Sequence, residues 1–133
     1  MIRQGLEHGQ VFGMTSEGVR ITYIAPKEVA RAIALAVDEP RALGQKIDLG
    51  SDRPLSGPEY AELLGKLLGR PMQVARMSGS GRAANDDMTA MFGYFQTGKY
   101  VADTRRQAEL FGPVPKVEDA ARLMLTELGL LSS

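Results

Sequence analysis

Few side chains in this chain could carry chemistry, and their spacing narrows what they could do. Tyr23 and Lys27 stand four residues apart, the spacing at which a lysine lowers the pKa of a tyrosine on the same helix and readies it for proton transfer. That arrangement needs one continuous helix. Tyr23 instead falls in a run that reads as a strand, with Pro26 between the two, so the spacing is taken as coincidental. Gly79-Ser-Gly81-Arg82, ahead of a helical stretch, could hold an anion with backbone amides and a guanidinium. It lacks the third glycine and the strand–turn–helix setting of a phosphate-binding turn, and a connecting segment is the favoured reading.

Met88, Met91, Phe92 and Phe95, together with Tyr94, form the surface best suited to a small apolar ligand, because methionine and aromatic side chains adapt to flat apolar molecules. The same helical spacing suits core packing, which is the favoured reading. A third reading is packing against a second copy of the chain. His8 is the only histidine and there is no cysteine, which removes disulfides, thiolate zinc sites and cysteine nucleophiles. Arg105 and Arg106, with Glu109, suit an exposed face laced by local ion pairs. Asp48, Asp52, Asp86 and Asp87 are dispersed or sit at turns and helix starts, and define no acid–base pair by themselves. Neither a complete catalytic constellation nor a nucleotide-binding fingerprint is present, so no cofactor and no metal are expected and a non-catalytic role is favoured.

Composition limits partners as well. Sixteen basic residues balance sixteen acidic ones, so no net field draws the chain to nucleic acid or to an anionic membrane surface. No apolar run approaches the roughly 20 residues of a membrane span, and the first ten residues lack the order of a signal peptide. A cytoplasmic protein is expected. With 133 residues, 44% of them hydrophobic, one core and a single domain over 1–133 are expected.

The elements that must position these residues read as follows. Residues 1–18 carry four glycines and read as an irregular lead with one edge strand around Val11-Phe12. Val19–Ile24 alternates as a strand does, and Pro26 opens a helix whose apolar face is Val29, Ala30, Ile33, Ala36 and Val37. Gln45–Leu49 and Met72–Met77 are two further strand candidates. Between them Ser56 and Glu59 stand at capping-box spacing, ahead of Tyr60, Leu63, Leu64, Leu67 and Leu68 on one face, closed by Gly69. Residues 78–81 read as a connector and 82–133 as a helical tail. In that tail Thr104 and Gln107 repeat the capping-box spacing, and Val117, Ala120, Ala121, Met124, Leu125 and Leu128 form the last stripe. The expected class is α/β, with α+β open: a short β-α-β-α-β unit over 19–77, then helices.

In order and spacing, Ile21-Thr-Tyr-Ile-Ala-Pro-Lys-Glu-Val-Ala30, Gly44-Gln-Lys-Ile-Asp-Leu-Gly50, Leu55-Ser-Gly-Pro-Glu-Tyr-Ala-Glu-Leu-Leu64 and Leu68-Gly-Arg-Pro71 resemble the second half of NmrA-like proteins. Phe95-Gln-Thr-Gly98, Asp103, Phe111-Gly112 and Glu118-Asp119-Ala-Ala-Arg122 are similar to that family's closing helices. The family belongs to the atypical short-chain dehydrogenases and includes NAD(P)-binding regulators and quinone and dye reductases. The resemblance implies a carboxyl-terminal half without the amino-terminal, dinucleotide-binding half and its Gly-x-x-Gly-x-x-Gly turn, so no catalytic residue carries over. It also implies an apolar surface left without its usual sheet, for which a homodimer is the expected cover. Three roles stay open. The favoured one is a non-catalytic small-molecule-binding or interaction module. The others are half of an NAD(P)-dependent oxidoreductase completed by another chain, and a truncated fragment with no selected function.

Overall fold

The computed structural model describes residues 2–13, 18–76 and 86–132. Among the described residues six helices accompany two short parallel strands: α1 Ile2–Glu7, β1 Gln10–Gly13, α2 Pro26–Val37, α3 Gly57–Leu68, β2 Gln73–Arg76, α4 Asp86–Gln96, α5 Arg105–Phe111 and α6 Val117–Glu127, with a 3-10 turn at Pro40–Ala42. The architecture is mixed α/β and helix-rich, as expected. The Asp86, Asp87 and Met88 side chains lie outside the described residues, and so do residues 77–85, with Gly79-Ser-Gly81-Arg82 and the connector among them.

The lead departs from expectation at its start. Residues 2–7 are helical, not irregular, because Leu6 is buried in the main core and Arg70 donates to the Leu6 and Glu7 carbonyls at 2.8 and 3.3 Å. A guanidinium there satisfies carbonyls that a helix end leaves unpaired. Gly9, at φ 74°, turns the chain into β1, which holds the expected edge strand around Val11. Its partner is β2, in parallel register from Gln10 opposite Gln73 to Gly13 opposite Arg76.

Two expected strands are absent. Val19–Ile24 is extended, but its neighbours are three different segments: Ile21 exchanges bonds with Leu55 at 3.0 and 2.9 Å, Thr22 N–H donates to Tyr100 O, and Tyr23 O accepts from Ser51 N–H. A backbone satisfied piecemeal forms one bridge and no ladder. Gln45–Leu49 is no strand either. Ile47 and Leu49 pack instead against Ala32, Leu110 and Phe111 in a second, smaller core.

α3 follows its local code. Ser56 and Glu59 close both bonds of the capping box, at 3.3 and 2.9 Å, and Gly69 ends the helix at φ 69°. Leu64 is fully buried with Leu6, Val11, Ala61, Ala121 and Leu125, so α3 and α6 share the main core over the two strands. α2 buries only part of its expected face: Ala36 packs on the smaller core and Val29 is half-buried. Its buried residue is Ala32, packed on α5, whereas Ile33 is 61% and Val37 79% exposed. Thr104 is likewise no capping box: its side chain caps nothing, and Gln107 turns inward.

Candidate functional site

The expected ligand stripe is divided by the fold. On α4, Phe95 is buried and Phe92 half-buried, while Met91 and Tyr94 are exposed. The rings are linked in series: Phe92 meets Phe95 edge-on at 6.4 Å, Phe95 meets Tyr100 at 4.9 Å, and Tyr100 meets Tyr94 edge-on at 6.2 Å. Tyr94, of the expected residues, lines a cleft. That cleft, about 400 Å³, is walled by Thr22, Ile24, Ile47, Leu49, Tyr94 and Tyr100, with Asp48 and Lys99 as its charged groups.

Its far wall is the extended segment after α4, held by contacts distant in sequence. Thr22 N–H donates to Tyr100 O at 2.9 Å, Thr22 Oγ1 accepts from Ala102 N–H at 2.9 Å, and Asp48 Oδ2 accepts from Asp103 N–H at 3.2 Å. Behind it Gln107, fully buried on α5, clasps both backbone groups of one residue: Gly50 N–H donates to Oε1 at 2.9 Å and Nε2 donates to Gly50 O at 3.2 Å. The clasp needs glycine at 50, because a Cβ there would lie 2.4 Å from Thr22 Cγ2. Tyr100, Lys99 and Val101 escaped sequence reading. Their only signal is that an aromatic and a lysine follow Gly98 directly.

A second cleft, about 310 Å³, shares Ile24 and lies between the start of α2, Tyr60 of α3 and the 117–127 helix. Tyr23 and Tyr60 stack there at 4.4 Å and 10°, and Tyr60 Oη donates to Met124 Sδ at 3.8 Å. Burial, reinforced by the neighbouring phenol of Tyr60, pushes the Tyr23 hydroxyl up to about 12, and burial raises Tyr60 as well. Lys27 Nζ is paired with Glu127 Oε1 at 2.7 Å. Burial thus moves the tyrosine away from ionisation, and the lysine is paired with Glu127.

The remaining candidates have structural partners. His8 is exposed, its Nδ1 2.8 Å from Gln4 O. Asp52 Oδ1 accepts from Val117 N–H at 3.0 Å, capping α6 from 65 residues away, and Arg53 pairs with Glu118 beside it. Arg106 pairs with Glu109 at 2.7 Å, while Arg105 turns to Asp103 at 2.6 Å. Among the described residues no cluster of three or more His, Cys, Asp or Glu could hold a metal ion, and no helix is long and apolar enough to cross a membrane.

The fold has a solved counterpart. A triphenylmethane reductase from Citrobacter sp., crystallised in complex with NADP(H), matches with a TM-score of 0.71 over 92% of this chain at 15% identity. The match covers 46% of the reductase, so this chain spans about half its length. The shared feature is fold: this chain has the architecture of part of a nucleotide-binding reductase. No protein-family model and no curated protein sequence matches the chain.

Proposed function

We propose that this chain is a small-molecule-binding module built like the carboxyl-terminal half of an NmrA-like protein, and that it works without a catalytic step of its own. The observation that carries the reading is the ring series Phe92, Phe95, Tyr100, Tyr94, which exposes two tyrosines at a cleft of about 400 Å³. Tyrosine and aliphatic side chains interleaved with Thr22, Asp48 and Lys99 suit a flat aromatic ligand that carries polar groups. The resemblance to a family containing dye reductases, and the likeness to a triphenylmethane reductase, point to the same ligand chemistry.

The test uses a triphenylmethane dye as probe, followed by visible absorbance. The expected result is a saturable spectral shift that Tyr94→Ala and Tyr100→Ala weaken and that NADPH leaves unbleached. Dye bleaching by NADPH with this chain alone would overturn the non-catalytic reading. A spectrum insensitive to both variants would overturn the site.

A second reading, that another polypeptide completes the fold, is favoured by Ile33, Val37 and Leu43, which stand 61%, 79% and 87% exposed around one open groove beside the 3-10 turn. Exposed apolar groups in such a cluster are unusual on a monomer. The favoured cover is a second copy. Light scattering should give twice the chain mass, and Ile33→Glu with Val37→Lys should return the monomer. A compact monomer from the unaltered chain would defeat the dimer, and NADPH binding that appears only with an added partner chain would favour a divided oxidoreductase.

A further inference from the structure

The second cleft has a chemistry of its own. Its walls are Ile24, Pro26, Val117, Ala120 and Met124, closed on one side by the stacked Tyr23 and Tyr60 rings. Its charged groups, Lys27 and Glu127, satisfy each other at 2.7 Å. What it offers a visitor is therefore hydrogen-bond donation from phenols. The Tyr60 hydroxyl has only the Met124 thioether, at 3.8 Å, and a thioether is a weak acceptor. Among the described residues the Tyr23 hydroxyl has no hydrogen-bond partner. Both phenols keep their protons at neutral pH, because burial raises them.

The two charges cancel across an exposed pair at the rim, so the cleft carries no net charge to draw either an anion or a cation. A phenol that no protein group engages is free to donate to an acceptor that enters the cleft in place of water. Volume sets the size: about 310 Å³ lies at the lower end for small-molecule sites.

We propose that the cleft between the Tyr23–Tyr60 stack and α6 binds a small, flat, uncharged aromatic molecule that carries a carbonyl. The ring lies among the apolar walls and the carbonyl accepts from the Tyr23 hydroxyl. This site is independent of the cleft at Tyr94, with which it shares Ile24 alone.

1-Tetralone, an aromatic bicyclic ketone, is the probe, and tetralin, the same skeleton without the carbonyl, is its control. In methyl NMR of the full chain, 1-tetralone should shift the Met124 and Ala120 methyls saturably. Tyr23→Phe keeps the stack and removes the donor. It should weaken 1-tetralone by about three- to tenfold, the worth of one neutral hydrogen bond, and leave tetralin unchanged. Ala120→Leu should fill the cleft and abolish both. Tyr94→Ala should alter neither, which separates this site from the dye site. The proposal is overturned if Met124 and Ala120 do not respond up to the solubility limit, if the Tyr94 region responds instead, or if Tyr23→Phe binds 1-tetralone as tightly as the unaltered chain.

Discussion

Replacing Gln107 by leucine removes the one side chain that serves both backbone polar groups of Gly50, with little change of volume. The two bonds, at 2.9 and 3.2 Å, are buried, and Gln107 itself is 0% exposed. Water cannot replace them without opening the packing. Each buried group left unpaired costs about 1–3 kcal/mol, so the pair costs about 2–6 kcal/mol, of which burying a leucine recovers roughly 1 kcal/mol. Set against a typical stability of about 5–15 kcal/mol, the loss is large. In urea unfolding followed by far-ultraviolet circular dichroism, with a slope of about 2 kcal/mol per molar, the midpoint should fall by about 0.5–2.5 M at unchanged slope. Gly50→Ala attacks the same joint from the other side, because its Cβ would meet Thr22 Cγ2 at 2.4 Å and the Ala102 Cβ at 3.0 Å. The double variant should lose less than the two singles together, since both dismantle one contact. A loss below about 0.5 kcal/mol for Gln107→Leu, or strict additivity with Gly50→Ala, would refute the reasoning.

Acid should act on the start of α3. The Arg20 guanidinium and the Ser56 N–H hold Glu59 down to about 2, so its stabilisation is present above the ordinary carboxylate range and is lost as pH falls from about 4.5 towards 2. Glu59→Gln should therefore be less stable than the unaltered chain at pH 7 and nearly equal to it at pH 2, read by urea midpoints at each pH. Ser56→Ala should cost about 1 kcal/mol in the same assay, the usual worth of an N-cap. At alkaline pH the sign is opposite: Tyr23, raised to about 12, stabilises fully below 10, and that contribution disappears as pH rises from 10 to 12. Stability should drop by no more than about 2–3 kcal/mol across that interval, and Tyr23→Phe should lessen the drop. Phenolate absorbance beside circular dichroism would measure both.

How much could be read from sequence depended on how local each cause was. α3 was legible because its cap, its leucine face and its left-handed stop at Gly69 lie within fourteen residues of one another. α6 was legible for the same reason, and its expected Val117, Ala121 and Leu125 are the residues it buries. α1 was not, since the group that closes its end is Arg70, 63 residues beyond Glu7. The alternation of Val19–Ile24 is real, but a strand also needs a continuous neighbour, and its backbone finds Leu55, Ser51 and Tyr100 in turn. Thr104 and Gln107 had the right spacing for a box. A buried peptide at Gly50 competed for the same amide and won, because an exposed N–H can be solvated and a buried one cannot. Of the ligand surface, helical spacing found Tyr94 but could not separate it from buried Phe95, and the tyrosine-walled cleft draws on 23–27, Tyr60 and 117–127, which no sequence window joins.

The exposed part of α2 links these points. A helix with Ile33 and Val37 among its large apolar residues would ordinarily bury them, yet α2 lays Ala32 against Phe111 and holds the contact with Arg31, whose Nη1 donates to Phe111 O at 2.8 Å. Alanine permits close approach to a bulky ring. Arg31 is also tied to Glu28 on its own helix, so the polar side of the contact is organised in advance. The small face is thus committed within the chain, and the large one is left over. Had the chain been shaped only for its own core, rotating α2 by about one residue, roughly 100° of helix, would bury Ile33 and Val37 and gain about 1.5–3 kcal/mol for each. That this gain is forgone argues that the two side chains are kept for a surface outside the subunit, and it makes Ile33→Glu the informative variant. On this argument it leaves the unfolding midpoint of the monomer almost unchanged while abolishing association; if it unfolds the monomer instead, Ile33 belongs to the internal core and the argument for an external partner is wrong.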